Sequence, residues 1–495
     1  MRFDLLDEPL LSWRDSARQR KTTTLPGTLS RLASGELADF PRLRTHQFHP
    51  WCMFLTQLAA IALHRAGQTD PAVSEGEWKE LLLALTEGKH EPWCLVVPQL
   101  HEAAFFQPPV PEGTLEGWKT HEHPDDIDIL VTAKAHDVKA SLVAGRDVEA
   151  WVYAVATLQT TQGVYGKGKY GVARMNRGYG SRCRVGCTAD LSLASRFLRD
   201  LDVMTSSWAD QIARGYNPDG VALVWTMRWD GETALGAHEL APHFIEVCRR
   251  VRVTEGDGGL AFHDTTSHGR RCLRETEGGD VGDPWIPVDR TKGTALSITN
   301  RGFDYRLLVQ LLFENDYAPA AAQRVQKDDP DPLLFVASAL ARGQGGTDGL
   351  HERVLTLDTT LRVRLADTEL RAQVAKRATE RVAWAEVMQR KALYPALKLL
   401  NWAEKNTFGR RVDDAFFLHL ISTLGQEDEE ARVSWQRRLR ELARAELEAA
   451  FSRCPFPSAH RFKAISAAER AFALGLKKHF PDIEPARAAA EGVSA

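Results

Sequence analysis

The residues with the most chemistry to offer lie in the run GVYGKGKYGVARMNRGYGSRCRVG, from Gly163 to Gly186. It holds six basic side chains (Lys167, Lys169, Arg174, Arg177, Arg182 and Arg184) and no acid, a formal charge of +6 in a chain whose total is −3. Seven glycines and the tyrosines 165, 170 and 179 are interleaved with that charge. Glycine lets backbone reach positive φ and approach a ligand closely. Lys and Arg attract phosphate, and Tyr offers a flat ring to sugars and bases. The pattern predicts a loop that touches nucleic acid, with Gly166, Lys167, Gly168, Lys169, Tyr170, Arg174 and Asn176 as its contacts. A plain glycine-rich surface loop with solvated charges has the same composition. The second stretch of interest is Arg342, Gly343, Gln344, Gly345, Gly346 and Thr347, between two extended apolar segments. It reads as the tip of a hairpin that can probe a groove or insert between base pairs.

Other motifs fail on context. Gly166 to Gly171 matches GxGxxG, but a dinucleotide fold needs a strand before it and a helix opening at it, and a helix pattern precedes it here. The kinase HRD and DFG are absent, as are GxSxG, a Walker loop and HExxH. His121, His123, Asp125 and Asp126 form one cluster of metal-type ligands, and His263, Asp264, His268 and Cys272 form another. Cys183 and Cys187 could join Cys248 or Cys272 on zinc. None of these sets has the spacing of a dedicated site. No residue set reads as an active site, so neither metal nor cofactor is expected.

Several elements must position the two glycine stretches. Pro50 can start a helix, and the apolar run 51–67 ends at Gly67, a stop signal. Asp147 is placed to cap a helix through about Gln159, and the basic run follows it directly. Strands are expected at 2–6, 93–97, 128–132 and 220–229, and a glycine-tipped hairpin from Leu333 onward. From about Asp367 glycine becomes rare. Leu370, Val374, Ala378 and Val382 fall four apart, as do Phe416, Leu420 and Leu424. Trp435, Leu439, Leu442, Ala445 and Ala449 form a third stripe, and Phe462, Ile465, Phe472 and Leu476 a fourth. Four helices with one apolar face each can close around one core. The expected fold class is α+β: a large mixed domain over 1–365, then a four-helix bundle over 366–495 with a frayed tail.

A chain of 495 residues exceeds one ordinary core, which agrees with two domains. The near-neutral total argues against a general nucleic-acid coat and permits one local basic face. No apolar run reaches the roughly 20 residues that span a bilayer. Seven scattered cysteines and no signal-peptide layout predict free thiols in the cytoplasm, with no membrane partner.

These features, in this order, resemble the CasA family, the large subunit of the type I-E CRISPR Cascade complex. The resemblance is carried by FDLLDEP (3–9), LRTHQFHPWCMFLTQLAAIALHRAG (43–67), LVTAKAHDVKAS (130–141), WVYAVATLQTTQGVYGKGKYGVARMNRGYGSR (151–182) and ARGQGGTDGLHERV (341–354). It implies a subunit without chemistry of its own, partnered by crRNA and the other Cascade subunits. Such a subunit reads the protospacer-adjacent motif (PAM) of double-stranded DNA, helps open the duplex into an R-loop and recruits a helicase–nuclease. The glycine loop of the family falls on Gly166 to Lys169, and its wedge on the tip from Arg342. The wedge side chain is Gln344 by composition and Thr347 by alignment from Glu352-Arg353. The minor-groove cation is one of Arg249, Arg250, Arg252 and Lys292. The segment 130–143 is where contact with the guide is implied. Arg371, Lys376, Arg381, Arg437, Arg438, Arg440 and Arg444 could line a path for displaced strand, or form an ordinary solvated helix face. Two further readings are a metal-dependent nuclease or phosphoesterase using His121 to Asp126, and a scaffold that only bridges subunits.

Overall fold

The computed structural model describes residues 2–128, 147–176, 180–256, 258–276, 278–325, 329–343, 346–402 and 407–483. The chain divides into two compact units. One comprises Met1–Phe303 with Asp316–Asp358, the other Asp304–Asn315 with Thr359–Ala495. The fold is α+β, with small sheets and helices in the first unit and helices alone in the described part of the second.

Two helices organise the first unit. Thr45–Arg65 starts six residues before the apolar run, and Pro50 lies inside it. Its side chains are buried almost all round, which makes it a central rather than a surface helix. Val148–Thr161 begins at Asp147, whose carboxylate accepts from the Ala150 N–H at 2.9 Å. It too is buried on nearly every side. The pair meet at Trp51 and Tyr153, whose rings lie 5.0 Å apart and edge-on.

Three-stranded sheets flank them. One pairs Lys119–His121 and Arg250–Gly256 with Gly259–Thr265 between them. A second sets Leu333–Gly343 between Arg184–Thr188 and Gly346–Leu357, antiparallel on both sides. Leu333 faces Leu357 and Ala341 faces Gly349, after which the register shifts so that Arg342 faces Thr347. Asp348 is the extra residue of this bulge, and Gly349 supplies its positive φ of 89°.

Three expected strands differ. Residues 2–6 make only an isolated bridge, Asp4 to Cys94, and turn. Of residues 93–97, Trp93 ends a 3₁₀ turn that starts at Glu91, and Leu95 N and Val96 N donate to Phe3 O and Arg2 O beside that bridge without forming a strand. Only Val221–Leu223 of 220–229 is strand, followed by a 3₁₀ turn at Val224–Thr226. In each case an apolar run is buried by surrounding helices and loops, and burial alone asks for no strand. The strand expected at 128–132 falls almost wholly outside the described residues.

The second unit holds four long helices among the described residues: Thr368–Val387, Thr407–Ser422, Asp428–Ser452 and Ser458–His479. Tyr305–Leu312 belongs to the same unit, capped by Asp304. Phe416 packs edge-on against Trp435 at 5.6 Å and beside Tyr305 at 4.9 Å. The first stripe is Val374, Ala378, Arg381 and Ala385 rather than a strict four-residue repeat. Each step of four overshoots a 3.6-residue turn by about 40°, so Val382 has rotated off the core face. Phe472 and Leu476 are buried, whereas Phe462 is 77% exposed. No described helix is long and apolar enough to cross a membrane.

Candidate nucleic-acid interface

The basic run begins where helix Val148–Thr161 stops. Gln162 pairs with Ser181 in an isolated bridge, and the Arg182 N–H donates to the Thr161 carbonyl at 2.9 Å. The intervening residues are therefore a loop closed at its root. Within it Tyr165 N donates to Lys169 O at 3.0 Å and Lys169 N to Gly166 O at 3.1 Å, a tight turn with positive φ at Gly166 (135°) and Gly168 (75°). Gly168 is required twice over, because a Cβ there would lie 2.5 Å from Thr266 Cβ. Its carbonyl accepts from Ser267 N at 2.9 Å.

The turn presents Tyr165, Gly166 and Lys167 to solvent. Lys167 makes no ion pair among the described residues. Lys169 is ion-paired with Asp264, which also takes His121 Nε2 at 3.1 Å. Burial opposes the Asp264 charge, and contacts to His121 and Lys169 outweigh it, holding the carboxyl below its usual range. The glycine loop is thus tied down by the strand Gly259–Thr265 and the residues after it. Tyr170 is half-buried, and Asn176 Nδ2 donates to Ala295 O at 3.3 Å.

Much of the expected loop charge points inward. Arg174, Arg182 and Arg184 are 3%, 1% and 5% exposed. Arg174 pairs with Glu246 at 2.6 Å and Asp283 at 3.1 Å, Arg182 with Asp283 at 2.6 Å, and Arg184 with Asp200 at 2.6 Å. Arg174 is consequently a structural side chain and not a groove contact. Buried guanidiniums need carboxylates and carbonyls, and Glu246, Asp283 and Asp200 come from distant sequence. Arg177 lies outside the described residues.

The hairpin reaches the loop through Arg342, whose guanidinium sits 5.2 Å from the Tyr165 ring centroid. Arg342 Nε and Nη1 are buried with no hydrogen-bond partner among the described residues, and burial pushes the group down to about 10. Thr347 is only 5% exposed, paired across the ladder with Arg342, so it is not a tip side chain. Gly343 and Gly346 face one another at the described end of the ladder. Gln344 and Gly345 lie outside the described residues, as does the whole of the 130–143 segment. Among the described residues before and after it, Arg44 pairs with Asp125 and Asp128, and Arg42 with Asp147.

The remaining candidates sort by burial. Arg249, Arg250 and Arg252 are 3%, 8% and 0% exposed and are held by backbone carbonyls or by Glu112, so none reaches a groove. Lys292 is exposed and pairs with Asp289 three residues away. In the second unit Arg381 is buried at 4%, and Arg438 and Arg444 pair with Glu441, Glu448 and Glu469. Arg440 donates to the Ile483 carbonyl at 2.8 Å, while Lys376 and Arg437 are exposed.

The proposed metal sets do not gather. Among the described residues, three metal-type ligand atoms converge only at Asp4, Asp7 and His90. His263 hydrogen-bonds Thr120 and Thr254, and His268 pairs with Glu232. All seven cysteines are free, and burial pushes Cys183 and Cys187 up to about 12, the opposite of what a thiolate ligand needs.

Gln159 and Ser267 were not legible in advance. Gln159 accepts from Cys248 N and Arg249 N and donates to Phe106 O and Arg249 O, joining the loop's parent helix to the segment that leads into strand Arg250–Gly256. A helical glutamine ordinarily reads as a solvent-facing residue. Ser267 sits in the segment whose histidines drew attention to metal.

Solved structures share this arrangement of elements. CasA (Cse1) of Thermus thermophilus superposes with a TM-score of 0.65 at 16% identity, over 96% of this chain and 99% of that one. The fold is that of the Cse1/CasA proteins. Cse1 of Acidimicrobium ferrooxidans gives a TM-score of 0.59 at 15% identity, covering 98% and 99%. A chain of a structure described as a CRISPR RNA-guided surveillance complex gives 0.58 at 16%, covering 96% and 99%. No family model and no curated protein sequence matches the chain.

Proposed function

We propose that this chain is the large, non-catalytic DNA-recognition subunit of a type I-E CRISPR surveillance complex. In this role it works beside crRNA and the other subunits, reads a short PAM in duplex DNA, starts strand opening and presents a surface to a helicase–nuclease. The single observation that carries the reading is the meeting of the glycine loop and the glycine-tipped hairpin at Tyr165 and Arg342, on a fold shared with Cse1/CasA proteins. The exposed backbone at Gly166, with Lys167 beside it, suits close approach to a groove with little base preference. The guide reads the sequence, so the protein needs only the motif and the shape of the duplex. Thr347 is buried, which leaves Gln344 as the proposed wedge side chain.

Lys167→Glu is the cleanest test, because Lys169 is already committed to Asp264. In the guide-loaded complex, Lys167→Glu should remove motif-dependent duplex binding while assembly proceeds. Unchanged DNA affinity with normal assembly would instead favour a scaffold.

A further inference from the structure

A cavity of about 310 Å³ opens beside the glycine loop. That is the lower end of the range of ligand pockets, about 300–1,000 Å³, and suits one nucleotide-sized group. Its apolar lining is Ile127, Leu158 and Phe262. Phe262 is fully buried and stacks on Trp151, with centroids 6.1 Å apart and planes 10° from parallel, so that wall is rigid. Gln162 adds a buried amide, Lys119 and Lys169 add cations, and Tyr165 contributes a ring that is 47% exposed. The walls are preset: Arg249 donates to Gly163 O at 3.0 Å, and Asp264 holds both Lys169 and His121. Lys169 is spent on Asp264 and Arg249 on backbone carbonyls, so the exposed Lys119, in no ion pair among the described residues, is the lining cation that can take a phosphate.

Tyr165 belongs to three things at once. It lines the cavity, it opens the glycine turn, and it carries the hairpin's Arg342 on its ring. A hairpin tip that parts a base pair leaves bases without stacking partners, at a cost that a neighbouring aromatic site can offset. We propose that this cavity receives one unpaired nucleotide of the DNA opened at the hairpin, its base against the exposed Tyr165 ring and its phosphate toward Lys119. The inference rests on the DNA-recognition reading above and extends it from the motif to the first opened position.

The test uses the guide-loaded complex with full-length chain. The probes are an intact duplex and forked duplexes, all bearing the motif and none complementary to the guide. The forks carry 2-aminopurine at each of the first three unpaired positions of either strand. One position should be quenched on binding. Tyr165→Ala and Lys119→Glu should each abolish that quench and weaken fork binding by about tenfold relative to the intact duplex. Lys119 is an exposed strand residue, so its variant reports even if Tyr165→Ala disturbs the loop. Equal quenching at every position, or variants that weaken fork and duplex alike, would overturn the cavity's role and leave motif recognition standing. If the wild-type complex binds neither probe in a motif-dependent way, both readings fall.

Discussion

Asp283 receives two buried guanidiniums, Arg174 at 3.1 Å and Arg182 at 2.6 Å, and Glu246 takes the other side of Arg174. Removing one partner from such a cluster leaves uncompensated charge away from water and costs about 3–5 kcal/mol. Asp283→Asn is therefore expected to lower the unfolding free energy by roughly that amount in denaturant titrations. Lys167→Gln, on an exposed turn, should change it by no more than about 0.5 kcal/mol. The contrast shows what composition could and could not convey. The basic run announced a cluster of cations, but a cation's direction depends on which acids the fold brings to it. Glu246, Asp283 and Asp200 lie 16 to 109 residues from their arginines, beyond any local pattern. Lys167 was legible as an exposed cation because its glycine neighbours already demanded a turn.

The element that links the two glycine stretches is the strand Arg184–Thr188, the end of the basic run itself. It pairs with Leu333–Gly343, so the loop and the hairpin are fixed to one sheet although they are some 160 residues apart. The hairpin was readable from its extended arms and glycine tip, and helix Val148–Thr161 from its cap. The pairing between them was not readable, because strand partners are chosen by tertiary packing and not by local spacing. The bulge at Asp348 was equally hidden, and it decides that Thr347 turns inward. Deleting residues 343–347 should slow strand opening more than it weakens initial duplex binding, since the glycine turn keeps its own anchor at Ser267. Stopped-flow fluorescence of a base analogue beside the motif, set against equilibrium affinity, separates the two steps. Equal losses in both would contradict a wedge role for the tip.

Across the whole molecule, sequence pattern conveyed the α+β class and the helical C-terminal region, where 3.6-residue periodicity is explicit. It conveyed little of the small sheets, whose strands are short and buried by loops. Large mixed folds also bury polar groups, and these set a pH dependence. Burial pushes His49 down to about 3 and His243 down to about 4. An unfolded histidine protonates near pH 6.5, so below that pH the unfolded chain binds protons that the folded chain refuses. Their contribution is fully present above about pH 6.5 and is lost as the pH falls toward 4. At pH 5 each should account for up to roughly 2 kcal/mol of lost stability relative to pH 7, measurable by denaturant titration at the two values. The central claim concerns what the intact chain adds to a guide-loaded complex. It is tested most directly by a gel-shift titration with and without this chain, on duplexes with matched or scrambled flanking motifs. The account predicts tight binding only when chain and matched motif are both present. Equal affinity with and without the chain, on either duplex, would contradict it.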